Sequence, residues 1–239
     1  MQNLWDKKAK TYTRFDGNLS EFGKELFSKL DEFNIDFKNK SILDIGCGTG
    51  VYSLYLAKNA KFITCLDSSQ EMLKYLQNDA KKFNITNINI INETFDEFKS
   101  NDKFDIAFLT MSPSLQDKTS FDKFINLGNQ KVYLNWNIPR YSSLIEPFLK
   151  NERKANYVTI ANELQKYLEI KDIAYKMHIF HEKRELKRDF NSAYENILWH
   201  LEINKINIQP ALIKDNLQKI YKNDIIIETV ISEMKLLVF

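Results

Sequence analysis

Ser41-Ile42-Leu43-Asp44-Ile45 leads directly into Gly46-Cys47-Gly48-Thr49-Gly50, with glycine at alternate positions and an acidic residue just ahead of the first. Glycines let backbone turn tightly and come close to a ligand. The helix start that follows offers unpaired N–H groups and a partial positive charge. A strand, a glycine turn and a helix start in succession are how an open α/β sheet grips a nucleotide-like cofactor. A dinucleotide fingerprint places its third small residue one step later, where this chain has Val51. Asp67 closes the next apolar run about 20 residues past the glycines, where a carboxylate can accept both hydroxyls of a ribose. An Asp at that point is also a preferred helix cap, and the two roles are compatible.

Asp44 through Gly50 resemble the first motif of Rossmann-like, class I S-adenosylmethionine-dependent methyltransferases, in the acidic-x-Gly-x-Gly-x-Gly form. The opening Leu4-Trp-Asp-Lys-Lys-Ala-Lys-Thr-Tyr12 looks like that of the ubiquinone/menaquinone-type members. The resemblance implies S-adenosyl-L-methionine as cofactor. It places Gly46, Cys47, Gly48 and Gly50 against the methionine half, with Asp44 toward its ammonium group. It places Asp67 at the ribose, with Ser68 beside it in the binding set, and Met72 near the adenine or in the core. Glu93 and Thr94 fall where the family carries Asp and a small residue against the adenine amino group; Asp96 or a solvated loop is the alternative. Thr110 and Met111 fall where the transferable methyl meets the acceptor. Tyr12 is either part of a lid over the cofactor or one residue of a plain amphipathic helix.

The acceptor side is thinner. Leu109-Thr-Met-Ser-Pro113 lacks the Asp/Asn-Pro-Pro-aromatic run of nucleic-acid amino-methyltransferases and resembles a subset of small-molecule enzymes. No catalytic residue follows from the motif, since methyl transfer depends first on alignment and water exclusion. His178 and His181 stand three apart in an expected strand, on opposite faces, and His200 falls in an expected helix; no Cys/His spacing points to a metal. Trp136 and Arg140, just past the fifth strand, could stack on an aromatic acceptor or pair with an anion, or simply pack and be solvated.

These residues need a scaffold. Apolar spacing predicts a helix within Asn18–Phe33 and strands at Ser41–Ile45, Lys61–Leu66, Ile88–Ile91, Phe104–Leu109 and Lys131–Trp136. Helices are expected from Val51 to Lys58, from Ser68 or Ser69 to Phe83, over Thr119–Leu127 and over Tyr141–Lys150. Later come a helix over Asn156–Leu168, a strand over Ala174–Glu182, helices over Asp189–Ile203 and Pro210–Tyr221, and a last strand within Ile225–Phe239. Alternation at this spacing implies a doubly wound, mainly parallel sheet with ligands at the carboxyl ends of its strands. With the family likeness, the expected fold is a seven-stranded α/β sheet with an antiparallel last strand and a helical insertion at about 187–223. The expected organisation is a single domain over 1–239: a helical lid over 1–35, a cofactor-binding core over 36–150, and the remainder with its insertion.

A net charge of +2, with basic residues scattered, gives no nucleic-acid footprint. Two cysteines, Cys47 and Cys65, read as reduced thiols. No apolar run approaches a membrane span or a signal peptide, so the cytoplasm is the expected compartment. The expected function is methyl transfer to a small-molecule acceptor, with the C-terminal helices closing over it. Methylation of a macromolecule such as tRNA or a protein, and a non-catalytic cofactor-binding scaffold, are the alternatives; a nicotinamide enzyme is a distant third.

Overall fold

Strand β1 (Ser41–Ile45) is central and buried almost end to end, with parallel strands paired along both of its edges, β2 (Phe62–Asp67) and β4 (Phe104–Thr110). A strand buried on both faces reads as a near-continuous apolar run, and after Ser41 this one is broken only by Asp44. The computed structural model describes residues 4–149, 158–220 and 225–239. The chain forms two compact units: one from residues up to Asn135 with Ile160–His178 and Lys235–Phe239, the other from Trp136–Thr159 with Ile179–Met234.

In the first unit the strand order is β3-β2-β1-β4-β5, with β3 at Ile88–Asn92 and β5 at Gly128–Trp136, every pairing parallel. Lys131 and Phe239 exchange both backbone hydrogen bonds, at 2.8 and 3.1 Å, the mark of an antiparallel final strand. Gly128 admits no side chain, since a Cβ there would lie 2.6 Å from the Ala107 nitrogen. Helices α1 (Leu4–Ala9), α2 (Glu21–Glu32), α3 (Val51–Leu56), α4 (Gln70–Lys82), α5 (Lys118–Leu127) and α7 (Ile160–Ile170) belong to this unit. Leu43, Ile45, Leu66, Leu109, Phe124 and Leu164 centre its core.

The second unit has its own core around Leu144, Ile145, Ile197, Leu201, Ile213 and Leu217. Helices α8 (Phe190–Ile203) and α9 (Pro210–Ile220) lie between β7 (Lys176–Arg188) and β8 (Ile226–Val238), which pair with each other, so the expected helical insertion is present. The helix expected over Tyr141–Lys150 is a correction. Tyr141–Ser142 is instead strand β6, paired antiparallel with Ile231 and Val230, and helix α6 covers only Glu146–Leu149. Pairing with β8 and the Ser142 hydroxyl on Glu228 outweigh the local helical spacing. This two-residue β6 is the eighth strand where seven were expected. Lys150, Asn156 and Tyr221, ends of expected helices, lie outside the described residues. Among the described residues no helix is long and apolar enough to cross a membrane.

Candidate active site

The turn after β1 works because its three glycines all take left-handed backbone, at φ +70° for Gly46, +55° for Gly48 and +78° for Gly50. They are glycines for different reasons. A Cβ on Gly46 would lie 2.1 Å from Ser112 Oγ, and one on Gly50 would lie 2.5 Å from Leu76 Cγ. At Gly48 a Cβ would meet only Tyr12 Cε1, at an ordinary contact distance of 3.7 Å, so the Tyr12 ring faces the space its missing side chain leaves. Gly46 and Cys47 donate backbone N–H to the Leu66 carbonyl at 2.7 and 3.1 Å, which ties the turn to the end of β2.

Two acids bracket this turn. Asp44 is buried, accepts a hydrogen bond from the Ser53 hydroxyl of α3, and is pushed up to about 7 by burial, with Asp67 adding to the effect. Asp67 accepts from the N–H of Gly48 and of Ser69, each at 2.8 Å. Burial nevertheless raises its pKa, and the nearby Asp6 carboxylate pushes the same way. The cap of α4 is Ser69, which accepts from Met72 N–H at 3.2 Å, so capping does not occupy Asp67. Burial also pushes the Cys47 thiol well up, with Cys65 beside it contributing. Such a thiol is a poor nucleophile.

Tyr12 leaves 37% of its surface open. Partial desolvation, with the Asp67 charge second, raises its pKa. Its ring meets Trp5 of α1 edge-on at 6.4 Å. The structure therefore brings together Tyr12, Asp44, Gly46, Cys47, Gly48, Gly50 and Asp67 around one turn.

The other expected residues are less converged. Ser68 is exposed and Met72 is buried on α4. Glu93 and Thr94 follow β3 in exposed positions, and Thr94 is engaged locally, its hydroxyl donating to Glu97 at 2.7 Å. Thr110 ends β4. Met111 follows in left-handed backbone at φ +54°, its N–H held by the Leu134 carbonyl at 2.8 Å. Such a conformation costs a non-glycine residue about 1–3 kcal/mol and clusters at functional loops. The spacing analysis missed Ser112, whose hydroxyl fills the space above Gly46, and Thr49, whose hydroxyl donates to the Thr13 carbonyl at 2.5 Å.

In the second unit Arg140 is neither solvated nor directed at a free anion. Its guanidinium stands 3.7 Å from the buried Glu228 carboxylate, which also accepts from Arg188 and Ser142. Both His178 and His181 lie in β7, and His181 stands 3.3 Å from Glu233. Among the described residues no group of three or more His, Cys, Asp or Glu side chains converges on a metal position.

Residues 42–126, which contain this whole turn and the strands on either side, match the family model for a methyltransferase domain. Over those residues the chain is similar to a methyltransferase domain. The chain is 39% identical over 108 residues to ribosomal RNA small subunit methyltransferase A of Mesomycoplasma hyopneumoniae strain 232, covering 42% of this chain and 40% of that relative. Similarity to the histidine protein methyltransferase 1 homolog of Dictyostelium discoideum is 27% over 202 residues, covering 79% of this chain and 58% of that one. The chain thus spans only 40% and 58% of these relatives' lengths. A solved S-adenosylmethionine-dependent methyltransferase from Geobacter sulfurreducens superposes with a TM-score of 0.57 over 99% of this chain and 98% of its own, at 11% identity. At that identity the likeness shows the fold alone, the Rossmann-like sheet that such methyltransferases share.

Proposed function

We propose that this chain is an S-adenosylmethionine-dependent methyltransferase acting on a small-molecule acceptor. The observation that carries the reading is the Gly48 turn: left-handed, faced by the Tyr12 ring, and bonded to the acid that ends β2. These residues fit the cofactor, since Gly48 leaves a side-chain-sized space facing Tyr12 and acids stand at both ends of the turn. When bound, the cofactor supplies a methyl group on a sulfonium, which is the reactive bond.

The chain's own residues do the rest. Asp44, once ionised, holds an ammonium group; Asp67 orients ribose hydroxyls; Tyr12 keeps water off the turn. Met111 and its neighbours shape the acceptor side. Alignment and dryness are the main contributions such a site makes, and a proton acceptor is needed only for weak nucleophiles. The near-neutral charge and the Thr110-Met-Ser-Pro113 sequence support a small acceptor.

A second reading, methylation of RNA or protein, is favoured by the named functions of the two relatives. One experiment separates them. The protein is incubated with S-adenosylmethionine labelled in its methyl group and with separated small-molecule, RNA and protein fractions of a cell extract. Label in the small-molecule fraction is expected, whereas label confined to RNA or protein selects the second reading. Calorimetry with S-adenosylhomocysteine tests the cofactor itself: no binding to wild type, or undiminished binding by Asp67→Ala, overturns the assignment.

A further inference from the structure

Residues 4–17 are fastened to the glycine-turn face of the first unit at several points, and two of those points converge on Tyr12. Thr49, the one non-glycine side chain of the turn that is almost wholly buried, donates its hydroxyl to the Thr13 carbonyl at 2.5 Å, next to Tyr12. Asp6 of α1 reaches the start of α4, where Oδ1 accepts from the Ser69 hydroxyl at 2.6 Å and from Glu71 N–H at 3.1 Å. A carboxylate on the first N–H groups of a helix is favourable both as a hydrogen-bond acceptor and against the helix dipole. Between the two fastenings, Thr11 and Tyr12 N–H bond to the Lys8 and Ala9 carbonyls, so the link is a short folded turn with little slack. Beyond Thr13 the chain is anchored again, by Arg14 on Asp79 and by Phe15 packed on Phe83. The Tyr12 ring therefore lies over Gly48 because the backbone on both sides of it is held.

We propose that Thr49 and Asp6 are positioning residues, clasping the N-terminal segment at two points so that Tyr12 closes over the Gly48 turn and sets how long a bound ligand stays. The ligand part rests on the methyltransferase reading; the clasp itself does not. Thr49 thus serves the site through the Thr13 carbonyl, next to Tyr12, and Asp6 serves it through the helix that follows Asp67.

The test has two arms on the full chain. In the first, hydrogen–deuterium exchange of a peptide covering residues 8–12 is measured without ligand in wild type, Thr49→Val, Thr49→Ser and Asp6→Ala. Exchange roughly fivefold faster in Thr49→Val and in Asp6→Ala, with Thr49→Ser near wild type, is expected for loss of one or two hydrogen bonds. Unchanged exchange in both overturns the clasp. In the second arm, stopped-flow release of S-adenosylhomocysteine, followed by Trp5 fluorescence in a Trp136→Phe/Trp199→Phe background, should quicken by a similar factor in the same two variants. Faster exchange with unchanged release overturns the positioning role. Failure of wild type to bind S-adenosylhomocysteine sinks the cofactor reading instead and leaves the exchange arm to decide the clasp. Should Thr49→Val fail to fold, Asp6→Ala carries both arms.

Discussion

Gly48 and Asp67 are joined by a 2.8 Å hydrogen bond from the glycine N–H to the Asp67 carboxylate, linking the turn after β1 to the end of β2. The acid expected to read a ribose is therefore also a brace for the glycine turn. Asp67→Ala should remove both, weakening S-adenosylhomocysteine binding by about 100-fold, since a charged hydrogen-bond acceptor and the turn's brace go together. Asp67→Asn keeps one acceptor oxygen and should lose less. Calorimetry on the two variants checks the order.

The glycines should separate by phenotype. Gly46→Ala drives a Cβ into Ser112 Oγ, 2.1 Å away, on left-handed backbone, and should cost about 2–4 kcal/mol of stability. Gly48→Ala has room, with 3.7 Å to Tyr12, and should cost only about 1–2 kcal/mol while spoiling ligand binding. Chemical denaturation and calorimetry on both variants are decisive. Partial recovery of Gly46→Ala by Ser112→Gly would confirm the clash as the cause.

Asp44 gives a pH signature. Its folded-state pKa, raised by burial to about 7, exceeds the unfolded value, so the native state binds the extra proton between about pH 4 and 7. Stability of the ligand-free protein should then fall as pH rises through that window, and Asp44→Asn should flatten the fall. Binding of an ammonium-bearing ligand needs the ionised form, so affinity should climb toward pH 7 and above, with proton release on binding. Calorimetry near pH 6 in buffers of different ionisation enthalpy measures that release.

Glu228 holds the second unit together electrostatically. Its buried carboxylate loses solvation, but hydrogen bonds from Ser142 and Arg188, together with the Arg188 and Arg140 charges, outweigh that loss and hold its pKa below the usual range. Stability from this group is present above the unfolded-state pKa of glutamate and is lost as pH falls through the lowered folded value. Glu228→Ala strands two mostly buried guanidinium groups and should cost about 3–5 kcal/mol. Exchange in peptides of β6 and β7 should report the loss.

What could be read in the sequence follows from how local its causes are. Strand β1 matches its expected bounds because it is buried at the centre of the sheet, which writes a mostly apolar run up to the glycine turn. The glycine turn is legible because left-handed backbone nearly demands glycine. Strand β6 is not, since two residues carry no periodicity and pair with partners 88 to 90 positions away. Strand β7 runs on to Arg188 through a charged stretch whose pairing with β8 no alternation announces. Thr49 escaped for a different reason: its partner is a backbone carbonyl, and a carbonyl has no sequence signature.

Placing α8 and α9 between paired strands has an evolutionary meaning. The chain leaves by β7 and comes back by the adjoining β8, so the excursion can lengthen, shorten or be exchanged while residues 41–67 keep their spacing. Lineages could diversify there without rebuilding the loop at Gly46–Gly50. Sequence drift should therefore accumulate unevenly, with slow change around the glycines and fast change in the excursion between Arg188 and Ile226.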